Sequence, residues 1–133
     1  MNIILLGDCH LRASSPEGRI DNFLETQLRK WDFILEFAQK NNAIILQAGD
    51  LFHNPTPSYS LINEFIEKVL NLQNQPFMLV VQGQHDMMMR SNDRKRTALG
   101  LLENLDFIYV ANNKPFSISH GWEVYGVGFG EDY

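Results

Sequence analysis

Three short apolar runs, each ending in residues that hold metals or move protons, limit what this chain can fold into. Ala43-Ile44-Ile45-Leu46-Gln47-Ala48 reads as a fully buried strand, and Gly49-Asp50-Leu51-Phe52-His53 follows at once. Ile3-Ile4-Leu5-Leu6 leads into Asp8 and His10, and Phe77-Met78-Leu79-Val80-Val81 leads into Gln84, His85 and Asp86. Open α/β sheets carry their chemistry beyond the carboxyl ends of parallel strands. If the three strands are parallel neighbours, their polar corners converge on one edge of one sheet.

The segments between the runs support that arrangement. Residues 2–7, 43–48 and 77–81 are the expected strands. Ile20, Phe23, Leu24, Leu28, Trp31, Ile34, Leu35 and Ala38 recur at helical spacing, and Asn41-Asn42 ends that helix. Pro55-Thr56-Pro57-Ser58 turns into a second helix with the stripe Leu61, Ile62, Phe65, Ile66, Val69 and Leu70. Strands joined by helical crossovers predict a parallel sheet. Beyond residue 81 the pattern changes: a shorter helix over Arg94–Asn104, a strand over Phe107–Val110, and a hairpin from Phe116–Ser119 to Trp122–Val127. His120, beside Gly121, is expected at the hairpin turn. The fold class is therefore α/β, a mostly parallel sheet with helical crossovers plus a C-terminal hairpin. Residues 1–133 are read as one domain.

Charge and cysteine narrow the setting. The formal net charge of −5 makes the molecule repel polyanions as a whole. A nucleic-acid substrate would need a local basic patch or bound cations. Arg90, Arg94, Lys95 and Arg96 are the only basic cluster, expected either near a substrate backbone or on a solvated helix face. Arg12 and Arg19 flank the loop after His10, within reach of a phosphate, and nothing in the sequence decides whether they touch one. The single Cys9 excludes an internal disulfide and fits a reducing compartment. No apolar run approaches the roughly 18 residues of a membrane span. The expected location is the cytoplasm, with no membrane partner. Met87-Met88-Met89, Trp31 and Phe23 read as core, and Tyr59 as a surface ring able to stack on a base.

The polar corners have a common chemistry. Asp8 and His10, at i and i+2 of an extended segment, would face one cation with Cys9 turned away. Asp50 adds a carboxylate and Gln84 an amide oxygen. Oxygen mixed with imidazole suits Mn²⁺, Fe or Zn²⁺ better than Ca²⁺. One carboxylate between two cations can bridge them, as in two-metal hydrolytic sites, and a histidine at the rim can protonate a leaving group. Each residue alone has a plainer explanation: Asp50 as a turn residue, His85-Asp86 as a local pair. The conjunction of three strand ends is the signal.

Asp8-x-His10, Gly49-Asp50 and Gly83-Gln84-His85-Asp86, in this order, resemble the calcineurin-like metallophosphoesterase superfamily. Gly49-Asp50-Leu51-Phe52-His53-Asn54-Pro55 is similar to the nuclease subunits of double-strand-break repair complexes, the SbcD-like exonucleases. The resemblance implies Asp8 and His10 on a first metal, Asp50 as the bridge and Gln84 on a second. It implies that His85 stabilises the transition state or donates the proton, with Asp86 beside it, and that His53 positions the phosphate. It implies two divalent ions, usually Mn²⁺, DNA as substrate, and a partner ATPase of the coiled-coil, SMC-like type. The fold implied is the first part of an αββα sandwich. Its open strand edge would invite a homodimer.

Two departures from that pattern shape the expectation. The family has asparagine where this chain has Gln84, whose extra methylene moves the amide oxygen by roughly 1.5 Å. Metal distances tolerate only about 0.2 Å, so the loop must shift or the second ion weaken. The family also adds downstream histidine motifs, while His120 is the only later histidine here. The leading expectation is a DNA phosphodiesterase of repair-exonuclease type that, alone, binds metal weakly and hydrolyses poorly. The alternatives are a phosphoesterase for small nucleotides or phosphoproteins, and a non-catalytic module that docks DNA or an ATPase.

Overall fold

The computed structural model describes residues 1–111, 113–119 and 121–131. Strands β1 (Asn2–Leu6), β2 (Ala43–Gln47), β3 (Met78–Val81) and β4 (Tyr109–Ala111) lie side by side in chain order, all parallel. Ile4 faces Ile45, Ile45 faces Met78, and Leu79 faces Tyr109 across the ladders. Helices α1 (Phe23–Lys40), α2 (Tyr59–Leu70) and α3 (Ala98–Asn104) make the three crossovers. The carboxyl ends of β1, β2 and β3 therefore emerge along one edge, as the sequence predicts.

Caps set the helix boundaries. Asn22 Oδ1 accepts from the Glu25 N–H at 3.2 Å, so α1 starts after it and leaves Ile20 fully exposed rather than on the helical stripe. Ser58 Oγ accepts from the Leu61 N–H at 3.3 Å and starts α2. Thr97 Oγ1 accepts from the Gly100 N–H at 3.2 Å, and the Ala98 N–H donates to the Pro55 carbonyl at 2.7 Å. The third helix is consequently shorter than its sequence pattern, and Arg94–Arg96 form a separate 3₁₀ turn before it.

All three helices pack into one cluster against the alternate strand residues Ile45, Met78, Val80 and Val110. Trp31 of α1 meets Phe65 of α2 edge-on at 5.3 Å, and Phe65 meets Phe52 at 5.9 Å. Each such fully buried side chain contributes about 1.5–3 kcal/mol of transfer free energy. Phe52 directly precedes His53, so the packing of the core fixes a site loop.

The opposite face is covered unevenly. The hairpin of β5 (Pro115–Ser119) and β6 (Trp122–Tyr125) lays Phe116 on Phe77 and Tyr109, at 5.3 and 5.6 Å. Gly126 then sits so close to Ala111 that a Cβ there would strike the alanine side chain, which ends β6 earlier than the pattern of residues 122–127 implies. Leu79 is buried beneath this cover, whereas Ile3 and Leu5 of β1 are exposed. The expected turn position of His120 lies outside the described residues. Met89, read as core, is 88% exposed, because Met89 and Arg90 form a surface turn closed by the bridge between Met88 and Ser91. No helix among the described residues is long and apolar enough to cross a membrane.

Candidate metal centre

The first two corners run on together past the end of the sheet. The His10 N–H donates to the Asp50 carbonyl at 2.8 Å, the Leu11 N–H to Leu51 at 2.9 Å, and the His53 N–H to Leu11 at 3.0 Å. Leu11, Leu51 and Phe52 point into the core and anchor both loops. The polar residues between them are left at the surface of the edge.

Asp8 and His10 do converge, but not through extended geometry. Both occupy the left-handed region, with φ of 42° and 45°, as does Asp50 at 54°. Non-glycine residues rarely adopt this conformation, and such strain concentrates at functional sites. Carboxylate oxygens of Asp8 and Asp50 and a ring nitrogen of His10 all lie within 4.8 Å of one another. His10 Nε2 stands 3.7 Å from Asp50 Oδ2. Cys9 Sγ sits against the Gln47 amide at 3.8 Å, and burial pushes its thiol pKa up, so it is held as the unreactive thiol.

The third corner closes over Asp50. Gly49, at φ 102°, and Gly83 bring the two backbones together; a Cβ on Gly83 would collide with the Asp50 backbone nitrogen and carboxylate. The His85 N–H donates to Asp50 Oδ1 at 2.8 Å, which orients the carboxylate and leaves Oδ2 toward His10. A single 3₁₀ turn, Gln84–Asp86, then presents Gln84 and His85 on the surface and turns Asp86 inward.

Asp86 differs from its expected place in the chemistry. It is 1% exposed. Oδ2 accepts from the backbone N–H groups of Asp50 at 2.8 Å and Gly83 at 3.0 Å, and Oδ1 from Phe52 at 3.3 Å. Burial raises its pKa, against the pull of those three N–H donors. It is a buried brace beneath the site, with both oxygens engaged by backbone N–H groups.

The histidines gather on one side. His10, His53 and His85 bring ring nitrogens within 4.8 Å of one another. His85 lies 4.7 Å from His10 and 5.2 Å from His53, centroid to centroid. His85 Nδ1 is 3.0 Å from the His53 carbonyl. A carbonyl only accepts, so Nδ1 carries the proton and Nε2 keeps a free lone pair when the ring is neutral. Arg12 Nη1 is 3.2 Å from His53 Nε2. A guanidinium only donates, so here Nε2 accepts. Partial burial lowers the His53 pKa, and the Arg12 charge lowers it further.

On the other side, Asp8, Asp50, Gln84, Gly128 and Glu131 line a cavity of about 550 Å³. Gln84 thus faces the same space as the two aspartates. Glu131 escaped sequence reasoning because no motif marks it; its Oε2 accepts from the Gly128 N–H at 2.9 Å. The basic cluster divides. Arg90 shares a depression with Gln84, His85, Met87 and Phe129. Arg94 pairs with Glu103 at 3.1 Å and, with Lys95, borders a different depression that includes none of Asp8, His10, Asp50, His53, Gln84 and His85. Arg96 is exposed on the 3₁₀ turn. The four do not form one patch facing the site.

The donor set fits a divalent ion. Two carboxylates and an imidazole surround a common point, and His10 Nδ1 is buried with no hydrogen-bond partner among the described residues. Oxygen and nitrogen donors in that ratio match the borderline divalent metals. The calcineurin-like phosphoesterase family model matches residues 1–131. A search of curated proteins finds no match.

Proposed function

The chain belongs to the calcineurin-like phosphoesterase family, and from that premise we propose that it is a metal-dependent phosphodiesterase acting on DNA. The observation that carries the reading is the meeting of Asp8, His10 and Asp50 with His53 and His85 at one sheet edge. The bound metals, held on Asp8, His10, Asp50 and Gln84, would supply Lewis acidity toward the phosphoryl oxygens and a water of lowered pKa. Mn²⁺ suits the mixed oxygen and imidazole donors.

The protein's own groups do the rest. The His85 backbone N–H holds Asp50 in one rotamer. The His53 carbonyl holds the His85 ring with Nε2 toward the shared space. In its imidazolium form that Nε2–H can protonate the departing oxygen; as the neutral base it can receive a proton from water. His53, favoured neutral, orients a phosphate without adding another full charge beside Arg12. Gln84 is exposed and His10, His53 and His85 are half-buried, so the site is an open floor rather than a closed pocket. An open floor accommodates a polymer backbone, and Arg90 beside His85 offers a cation to it.

The test is cleavage of end-labelled DNA and of bis-p-nitrophenyl phosphate with Mn²⁺, alongside His85→Ala. Cleavage of DNA that disappears in the variant is the expected result. Ester cleavage without DNA cleavage would replace DNA by a smaller phosphoester. No turnover of either, with DNA still retained, would replace hydrolysis by docking.

A further inference from the structure

We infer that Arg12 is a substrate-binding residue whose guanidinium takes phosphate oxygens on the histidine side of the site. The inference rests on the phosphoester reading above and adds to it a residue and a contact.

Arg12 is held in place by α1. Its backbone N–H donates to Gln27 Oε1 at 3.2 Å, and Gln27 Nε2 donates to the carbonyls of His10 at 3.1 Å and Cys9 at 3.4 Å. One helical side chain thus pins the loop that carries His10. The guanidinium lies 5.6 Å from the Phe23 ring centroid, also on α1, and donates to His53 Nε2.

The guanidinium pairs with no carboxylate among the described residues. Some other cations of the described residues are paired. Arg19, over the same Phe23 ring at 4.7 Å, is held by both oxygens of Asp21 at 2.8 and 2.7 Å. Arg94 is held by Glu103, and Lys68 by Asp32. A guanidinium has five donors in a planar fork. Here one reaches an imidazole nitrogen, which leaves donors for a bidentate contact with phosphate. Such a contact fits the location, since Arg12 lines one cavity with Asp8, His10, His53 and His85. Asp8 and Asp50 repel a phosphodiester, and a fixed cation across from them offsets that repulsion. Support by Gln27 and Phe23 means little freedom is lost on binding.

The test compares Arg12→Gln, Arg12→Lys and Lys30→Gln, the last removing one exposed charge elsewhere on α1. Binding of a labelled single-stranded oligonucleotide is read by anisotropy with Ca²⁺ across a salt series. Hydrolysis of bis-p-nitrophenyl phosphate is read with Mn²⁺. Arg12→Gln is expected to weaken oligonucleotide binding about 10- to 100-fold and raise KM with little change in kcat. It should flatten the log–log salt slope by about 0.7, one single-strand phosphate contact. Arg12→Lys should recover part of the affinity, and Lys30→Gln should match the parent. Unchanged affinity, KM and salt slope in Arg12→Gln overturn the inference. So does a fall in kcat alone, which would mean that Arg12 acts only by holding His53, or a parent protein that binds no oligonucleotide. A parent that binds through Arg12 but does not hydrolyse bis-p-nitrophenyl phosphate, nor DNA in the cleavage assay above, removes the hydrolase reading and leaves the phosphate contact supported.

Discussion

Asp86 Oδ2 accepts a 2.8 Å hydrogen bond from the backbone N–H of Asp50, so the corner after β3 is bolted from beneath to the corner after β2. The same oxygen takes the Gly83 N–H, and Oδ1 takes that of Phe52. Asp86→Asn is nearly isosteric but offers one acceptor oxygen where two are needed and turns an NH₂ toward a backbone N–H. The expected loss is about 1–3 kcal/mol of unfolding free energy, read from urea midpoints. A variant as stable as the parent would remove the brace.

The same residue gives a pH signature. Burial raises its folded pKa above the ordinary 3.8, so between 3.8 and that raised value the native state binds more protons than the unfolded chain. Stability contributed by this group is therefore greatest below 3.8 and falls as pH rises through the folded pKa. Urea midpoints of the parent, compared with those of Asp86→Asn over pH 3–7, should show that relative decline with increasing pH.

Much of this site was legible in the chain, and the misses have physical causes. The parallel sheet and the converging corners follow from apolar runs that stop at Asp8, Asp50 and His85. The conformation of the corners does not: period-two reasoning assumes extended backbone, whereas Asp8 and His10 both turn left-handed. Asp86 looked like chemistry because motif reading sees residue type and not depth. The sequence left Arg94 open between a substrate backbone and a solvated helix face because its partner, Glu103, lies nine positions away on a different element. The position of Arg12 beside His53 depends on Gln27 and Phe23, residues that carry no motif.

Backbone strain at the first corner can be relieved at the expense of the site. His10 holds φ at 45°, where a side chain costs about 1 kcal/mol that glycine does not. His10→Gly should therefore be more stable than His10→Ala by about 1 kcal/mol. Both should lose Mn²⁺ affinity in calorimetry. Equal stability of the two variants would mean that the corner is unstrained.

Gly83→Ala tests the contact between corners. The added methyl would run into Asp50, so either the β3 corner or the carboxylate must move. Loss of about 1–3 kcal/mol is expected, with weaker Mn²⁺ binding. Gly7→Ala is the matched comparison, because a Cβ there meets nothing within 4 Å and φ is not positive. It should stay within about 0.5 kcal/mol of the parent.

The Arg12 charge should be visible in the titration of its neighbour. Burial is the larger cause of the lowered His53 pKa, and Arg12 the second. Because the folded pKa lies below the ordinary 6.5, the unfolded chain binds more protons in that interval, and the group destabilises the folded state progressively as pH falls through it. Above 6.5 both states are neutral and the group has no effect. Arg12→Gln removes the secondary cause, so the His53 ring-proton resonance of the metal-free protein should titrate at higher pH than in the parent, yet still below 6.5. The acid-side loss of stability should begin at 6.5 in both proteins but end at a higher pH in the variant, so that the interval narrows and the total loss is smaller. A resonance that does not move would mean that the 3.2 Å contact between Arg12 Nη1 and His53 Nε2 is not maintained in solution, since a guanidinium that close must disfavour a second positive charge.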